Sequence, residues 1–189
     1  MNQADLIARL SSSDDQLAEA AVREFTSRPS VALPVLRALL SDSDPDVRWW
    51  AARALAEIRD PQVPELLRSA LRDADVSVRQ CAALGLREQA TPRAIQDLLA
   101  LLNDEDRLLA RLAADALIAI GAEAVPALLE VLQNGPQTGR LEAVRALARI
   151  GDQRAIATLF TALDDPSAIV EYWADEGLER MGIGMVFFK

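Results

Sequence analysis

The sequence predicts an all-α protein, an α-solenoid of about six helical hairpins stacked in a superhelical array, and three observations support this prediction. Residues 47–55 recur thirty-one residues later as 78–86 and again as 109–117. A fixed period of this size indicates supersecondary units that stack because none can bury its apolar face alone. Apolar residues form 51% of the chain but aromatic residues only 4%, and no alternating run of Val, Ile or Thr predicts a strand.

Each repeat is expected to pair two helices around an Asp-containing turn. The second helices of the pairs are predicted to begin near Asp15, Pro45, Val76, Glu105, Pro136 and Pro166. The first helices are predicted to end in a column of leucines: Leu10, Leu40, Leu71, Leu102, Leu132 and Leu163. Within one second helix, spacings of three and four residues place four apolar side chains on one buried stripe. These are Val47, Ala51, Leu55 and Ile58.

Acidic residues and glycines mark the ends of these helices. Asp44, Asp75 and Asp106 precede second helices, where a carboxylate caps free N–H groups and interacts favourably with the helix dipole. They are therefore interpreted as structural caps rather than as paired catalytic carboxylates. Gly121 and Gly151 follow Ile120 and Ile150 and are predicted to stop the preceding helices.

Several segments of this frame carry a resemblance to a known family. They are DPDVR at 44–48, the Ala pair at 51–52, Ala-Leu at 54–55, and Ile-Gly at 120–121 and 150–151. Over nearly its whole length the chain resembles the short HEAT repeats found in phycobilisome lyase subunits and in consensus-designed scaffolds. The resemblance implies a column of arginines, Arg48, Arg79 and Arg140, that pairs internally with neighbouring aspartates. Such a pattern is specific for the fold and not for the function.

Composition disfavours several classes of function. The chain contains no histidine and a single cysteine, Cys81, so neither His-based catalysis nor a multi-cysteine metal site is expected. A formal net charge of −9 disfavours binding to nucleic acid or to an anionic membrane surface. With no basic apolar leader and no run of about 18 apolar residues, the protein is expected to be soluble and cytoplasmic.

The resemblance also implies where a partner would bind. In short HEAT arrays the second helices line the concave face, and the residues after the Val-Arg pair and between the Ala pair and Ala-Leu point into it. Transferred position by position, the predicted binding residues are Trp49, Trp50, Arg53, Gln80, Cys81, Arg111, Leu112, Asp115, Arg145, Tyr172, Trp173 and Glu176. Trp, Tyr and Arg are the residues enriched at binding hot spots. No catalytic or metal-ligating residue is predicted.

Structural roles remain open for some of these residues. Trp50 lies either on the face or at the edge of the core, because it stands three residues after Val47. Tyr172 and Trp173 either bind a partner or cover the open end of the last repeat. Cys81 is interpreted as a small buried thiol rather than a reactive one.

The predicted domain organisation is a single array over residues 1–180, followed by an apolar tail at residues 181–189. An apolar strip left in water promotes aggregation, so the tail is expected to pack on the last repeat. The alternative is a docking segment that inserts into a partner or into a second copy of the chain, which would give self-association.

Three functions of different classes are considered. The first is a non-enzymatic protein-binding scaffold that needs no cofactor, with a segment of another protein anchored by Trp49, Trp50 and Trp173. In this scaffold Arg53 and Arg145 would pair with acidic groups of the partner. The second, implied by the resemblance, is a phycocyanobilin lyase subunit or pigment chaperone, in which these aromatics and arginines would contact a transiently bound bilin. The third, a HEAT-like alkylpurine DNA glycosylase, is disfavoured by the negative charge.

Overall fold

A computed structural model describes residues 3–10, 12 and 14–183. Within these residues the structure contains twelve α-helices and no strand. The helices are α1 Gln3–Leu10, α2 Asp15–Ser27, α3 Pro29–Leu39, α4 Pro45–Glu57, α5 Val63–Ala70, α6 Val76–Glu88, α7 Ile95–Leu101, α8 Arg107–Ile120, α9 Val125–Asn134, α10 Gln137–Ile150, α11 Ile156–Ala162 and α12 Ala168–Arg180. Short 3₁₀ turns precede α7, α9 and α11, at Pro92–Ala94, Gly121–Glu123 and Gln153–Ala155. The predicted all-α solenoid of helical hairpins is confirmed.

The chain divides into two compact units. The first unit, Met1–Gln89, contains the hairpins α1–α2, α3–α4 and α5–α6, and the second unit, Ala90–Lys189, contains α7–α8, α9–α10 and α11–α12. The single array over residues 1–180 stays a prediction. Residues 184–189 of the predicted apolar tail lie outside the described residues, so the packing of that tail on the last repeat also stays a prediction.

The second helices begin at or close to their predicted positions. The starts of α2, α4 and α6 match the prediction, whereas α8, α10 and α12 begin two, one and two residues later. Each later start directly follows the residue at the N-cap position, and of these three residues only Asp106 accepts a backbone N–H of its helix through its side chain. Asp106 is the N-cap of α8, and Ser167 is the N-cap of α12. Pro166 therefore belongs to a turn in which the Asp165 carboxylate accepts the N–H of Ser167 at 2.9 Å.

The predicted caps at the starts of the second helices are confirmed. The Asp44 carboxylate accepts the N–H of Asp46 at 2.9 Å. The Asp75 carboxylate accepts the N–H of Ser77 at 2.8 Å and that of Val78 at 3.2 Å. Asp106 caps α8 in the same way, through the N–H of Leu109 at 2.7 Å. These three carboxylates thus satisfy N–H groups that have no partner within their helices.

The arginine column pairs internally, as the resemblance implies. Arg48 makes a two-pronged ion pair with Asp73 of the next repeat, at 2.8 Å from Nε and 2.9 Å from Nη2. Burial raises the pKa of Asp73, but the hydrogen bond from Arg48 and the neighbouring charges lower it more, so the net pKa lies below its usual value. Arg140 likewise reaches Asp165, at 3.3 Å. Arg79 donates to the backbone carbonyls of Asp73 and Ala74.

Within each unit the second helices form one tightly packed layer. Helix α4 packs on α2 and α6 in the first unit, and α10 packs on α8 and α12 in the second. Small residues allow this approach: Ala51, Ala52 and Ala54 of α4 are fully buried. The predicted stripe of Val47, Ala51, Leu55 and Ile58 is buried throughout. The face of this layer that is turned away from the first helices is the surface on which most predicted binding residues lie.

Two glycines at helix ends differ in the conformation they adopt. Gly151 is left-handed, with φ 68° and ψ 31°, whereas Gly121 has φ 77° and ψ −135°. Neither has a heavy atom within 4 Å of the position that a Cβ would occupy, so substitution would test backbone strain alone.

We expect Gly151→Ala to lower the free energy of unfolding by about 1 kcal/mol. We expect Gly121→Ala to lower it by about 2 kcal/mol, because its backbone lies near a region that only glycine populates. Urea unfolding followed by circular dichroism measures both, and the reverse order of costs would contradict this account.

Candidate binding faces of the second helices

The candidate site consists of two surfaces, one in each unit. The second-helix face of the first unit is the outward surface of α2, α4 and α6, and the second-helix face of the second unit is the outward surface of α8, α10 and α12. The twelve predicted binding residues divide between them. Trp49, Trp50, Arg53, Gln80 and Cys81 belong to the first unit, and Arg111, Leu112, Asp115, Arg145, Tyr172, Trp173 and Glu176 belong to the second.

A pair of tryptophans dominates the face of the first unit. Trp49 and Trp50 lie in the first half of α4, and their ring centroids are 4.8 Å apart in an edge-to-face arrangement with an interplanar angle of 82°. Both side chains are half-buried. Trp50 therefore does not belong wholly to the core, because its ring lines an open groove together with Trp49.

This groove crosses the first turns of α2, α4 and α6, and we call it the tryptophan groove. Its volume is about 660 Å³. It is lined by Ser12, Asp15, Glu19, Pro45, Asp46, Trp49, Trp50, Asp75 and Ser77. Four carboxylates and two indoles, with no Lys or Arg among these residues, make the lining both aromatic and acidic.

Arg53 lies beside the groove and is already paired. Its guanidinium contacts the carboxylate of Glu19 on α2 at 3.2 Å and that of Glu57 one turn further along α4. Gln80 and Cys81 follow on α6, where Gln80 is half-buried and Cys81 is only 7% exposed. The sequence predicts that Arg53 pairs with an acidic group of a partner, but in this structure its partners are carboxylates of its own unit.

The cysteine is chemically protected. Burial raises the pKa of the Cys81 thiol to about 12, and the positive charge of Arg53 offsets only part of this effect. At pH 8 the fraction of thiolate is then roughly a thousandfold lower than for a free cysteine. We expect DTNB to label Cys81 at least 100-fold more slowly in the folded protein than in urea.

A control for this prediction lies on the same helix. Leu84, three residues further along α6, is 40% exposed. Leu84→Cys, combined with Cys81→Ala, should react with DTNB rapidly in the folded protein. Equal labelling rates for Cys81 and for the cysteine introduced at position 84 would contradict the buried assignment.

The face of the second unit is built around a buried arginine. Arg145 on α10 has a side chain that is only 3% exposed, and it donates to Asp115 on α8 at 2.7 Å and to Glu142 at 2.9 Å. It also donates to the backbone carbonyl of Arg111 at 3.2 Å. The Arg111 guanidinium lies 4.0 Å from Glu142. We call Arg145, Asp115, Glu142 and Arg111 the Arg145 cluster, which satisfies its charges within the unit.

A second aromatic pair lies on the last helix of this face. Tyr172 and Trp173 of α12 have ring centroids 5.4 Å apart at an interplanar angle of 74°. Tyr172 is 59% exposed, whereas Trp173 is half-buried, as are Glu176 on the same helix and Leu112 on α8. The aromatic residues thus form two separate pairs, one in each unit, and their role in binding stays a prediction.

Sequence reasoning did not single out the acidic lining of the tryptophan groove. The repeat contained the signal, because Glu19, Trp49 and Gln80 each stand five residues after the N-caps Asp14, Asp44 and Asp75 and are therefore equivalent. Residues at equal positions of successive repeats lie side by side on adjacent helices. Comparing equivalent positions of successive repeats would therefore have placed an acidic side chain next to the tryptophans.

Two further findings concern the described part of the chain. None of its helices combines the length and the apolar character required to cross a membrane. Among the residues that the structure describes, no cluster of three or more His, Cys, Asp or Glu side chains could hold a metal ion.

The fold and these faces define a repeat protein of the HEAT class. A family model described as HEAT repeats matches residues 4–83, 64–139 and 125–183, so the chain belongs to the HEAT-repeat family. The beta subunit of phycocyanobilin lyase from Pseudanabaena tenuis (strain PCC 7409) is 44% identical over 70 residues, which are 36% of this chain. The match spans only 25% of that subunit's length.

Solved structures show the same fold. The complex of CpcE and CpcF of phycocyanin lyase from Nostoc sp. PCC7120 matches with a TM-score of 0.58 and 24% identity, covering 96% of this chain and 77% of that one. An engineered protein matches with a TM-score of 0.57 and 24% identity over 100% of both chains. A designed armadillo repeat protein in complex with the peptide (KR)4 matches with a TM-score of 0.56 and 20% identity, covering 96% of this chain and 100% of that one. At these identities the likeness concerns the fold.

Proposed function

We propose that this protein is a non-enzymatic binding scaffold that holds a segment of another protein on its second-helix faces, principally in the tryptophan groove. The observation that carries the proposal is the contacting pair of half-buried indoles, Trp49 and Trp50, in an open groove of about 660 Å³. Tryptophan left partly in water retains a large apolar area that a partner can cover, and it is the residue most enriched at binding hot spots.

The dimensions of the groove suit an extended peptide segment. Three second helices, α2, α4 and α6, contribute to its walls. Packed helices lie about 8–10 Å apart, and an extended chain advances about 3.3 Å per residue. A segment of about six residues would therefore cross the groove. This mode of binding requires no catalytic group. The charged side chains of the Arg145 cluster pair with one another within the protein, which is consistent with a binding role.

An affinity experiment with three baits tests the proposal. Wild type, Trp49→Ala and Phe160→Ala are immobilised and exposed to an extract of the native host, and retained proteins are identified and their dissociation constants measured. Phe160 is the matched control, because it is an exposed aromatic residue on a first helix of the second unit. We expect Trp49→Ala to weaken binding of the partner about 30-fold or more and Phe160→Ala to leave it unchanged. A partner that binds all three baits equally would overturn the assignment to the tryptophan groove.

A phycocyanobilin lyase subunit is the second candidate, favoured by the 44% identity to the lyase beta subunit. A bilin would need aromatic walls and cations for its propionates. Tyr172 and Trp173 could supply a wall, but Arg53 and Arg145 are engaged with carboxylates of their own units. Mixing phycocyanobilin with the purified protein and with Trp173→Ala tests this candidate. A change in the visible absorbance of the pigment that requires Trp173 would support it, and an unchanged spectrum would count against it.

A further inference from the structure

The lining of the tryptophan groove also indicates the chemistry of the segment that binds in it. We infer that the segment it binds is cationic, with Arg or Lys side chains placed over the indoles of Trp49 and Trp50 and beside the carboxylates of Asp15 and Asp46. This inference rests on the proposed function and specifies the partner. It reverses the charge that the sequence predicts for that partner, which is acidic.

The first argument is the uncompensated charge of the lining. Asp15 and Asp46 are exposed, and neither forms an ion pair with any residue in the described ranges. Asp15 belongs to the first turn of α2 and Asp46 to the first turn of α4, and both carboxylates line the groove. Glu19 and Asp75 also line the groove. Glu19 forms an ion pair with Arg53, and Asp75 is the N-cap of α6. A positively charged side chain in the groove would relieve the repulsion among these groups.

The helix N-termini at the groove do not reverse this conclusion. The starts of α2, α4 and α6 would ordinarily attract an anion, because their first N–H groups lack helical partners. Here those ends are already occupied by carboxylates. Asp14 accepts the N–H of Gln16 at 2.9 Å and that of Leu17 at 3.3 Å. Asp44 and Asp75 cap the other two helices in the same manner, so an incoming anion would compete with three built-in carboxylates.

The aromatic surfaces add a second attraction for cations. Indole is the best aromatic partner for a guanidinium or ammonium group placed over its face, and the attraction grows as water is excluded. The edge-to-face arrangement of Trp49 and Trp50 turns the two ring faces in different directions, at an interplanar angle of 82°. An Arg side chain can therefore stack on one ring while its donors reach a carboxylate of the lining.

Synthetic peptides test the inference without knowledge of the natural partner. The probe is an acetylated, amidated octapeptide of alternating Arg and Ala, and its comparison peptides carry Gln or Glu in place of Arg. Binding to the full chain is followed by the fluorescence of the tryptophans and by calorimetry. We expect the Arg peptide to bind at least tenfold more tightly than the Gln peptide and the Glu peptide to show no binding. Raising the salt concentration from 50 to 500 mM should weaken the Arg peptide about tenfold, because partly exposed charges are screened.

Variants locate the binding on the protein. Asp15→Asn with Asp46→Asn should weaken the Arg peptide about tenfold. The matched control is Glu171→Gln with Asp175→Asn, two exposed residues of α12 in the second unit. It changes the net charge of the protein by the same amount and should change the affinity for the Arg peptide less than twofold. Circular dichroism confirms that both double variants are folded. If the first double variant does not fold, the comparison of the three peptides on the wild type decides the inference alone.

The outcomes separate this inference from the proposed function. Three results would overturn the cationic assignment. The Arg and Gln peptides could bind equally, the Glu peptide could bind more tightly than the Arg peptide, or the affinity of the Arg peptide could be unchanged by Asp15→Asn with Asp46→Asn. A natural partner that requires Trp49 but binds through a neutral or acidic segment would overturn the cationic assignment and leave the scaffold function standing. A natural partner that does not require Trp49 would overturn the proposed function, whatever the peptides show.

Discussion

Replacing Arg145 with alanine is expected to lower the free energy of unfolding of the second unit by about 3 kcal/mol. The Arg145 side chain is 3% exposed and holds Asp115 and Glu142 at 2.7 and 2.9 Å. Alanine would leave two carboxylates close together, and the Glu142 carboxylate, which is 11% exposed, would have lost its nearest cation. The cost comes mainly from this uncompensated charge, because breaking one side of a buried pair costs far more than the intact pair contributes.

The measurement needs a probe that reports on the second unit alone. Trp49→Phe with Trp50→Phe leaves Trp173 as the single tryptophan, and its fluorescence then follows urea unfolding of the unit that contains it. Arg149→Ala is the control, because Arg149 is an exposed arginine in the last turn of the same helix. It should change the free energy by less than about 0.5 kcal/mol. Equal shifts for Arg145→Ala and Arg149→Ala would contradict the role of the Arg145 cluster.

Most of the fold could be predicted from the sequence because its determinants are local or periodic. An N-cap aspartate such as Asp75 needs only the two or three residues that follow it, and a helix-ending glycine such as Gly151 needs only its own backbone. The arginine column repeats with the helices, so its pairing with aspartates of the next repeat could be inferred from the resemblance. Three helix starts lie one or two residues later than expected, two of them where the N-cap residue, Pro136 or Ser167, makes no side-chain hydrogen bond to the helix.

The chemistry of the candidate faces could be predicted only in part. The sequence identified Trp49, Trp50, Arg53 and Arg145, yet it could not show whether the arginines are available to a partner. Their availability depends on whether a carboxylate of an adjacent helix lies within reach, and this distance is set by helix packing. Glu19 meets Arg53 across 34 residues of sequence and Asp115 meets Arg145 across 30. Once these arginines are paired, the charge left unpaired in the tryptophan groove is negative.

Leucine in place of Gly177 is expected to have a comparable effect to Arg145→Ala, for a steric reason. A Cβ at Gly177 of α12 would lie 2.9 Å from the Cβ and 3.0 Å from the backbone Cα of Ala148 on α10. Backbone cannot move aside without displacing a whole helix, so the two second helices would have to separate. We expect Gly177→Leu to lower the free energy of unfolding by about 3 kcal/mol, and Gly177→Ala by about 1 kcal/mol, despite the better helix propensity of alanine.

Two other helical glycines of this chain serve as graded controls. A Cβ at Gly85 would meet the end of the Leu67 side chain at 2.8 Å, which can rotate, and the Cβ of Ala56 at 3.0 Å. Because no backbone atom is among these contacts, Gly85→Ala should cost less than Gly177→Ala. A Cβ at Gly139 would meet nothing closer than 3.4 Å, and Gly139→Ala should raise the free energy of unfolding by about 0.5 kcal/mol through helix propensity. Urea unfolding of the three alanine variants therefore orders them by what each Cβ would touch. If Gly177→Ala were as stable as Gly139→Ala, helix propensity rather than the contact between second helices would govern these positions.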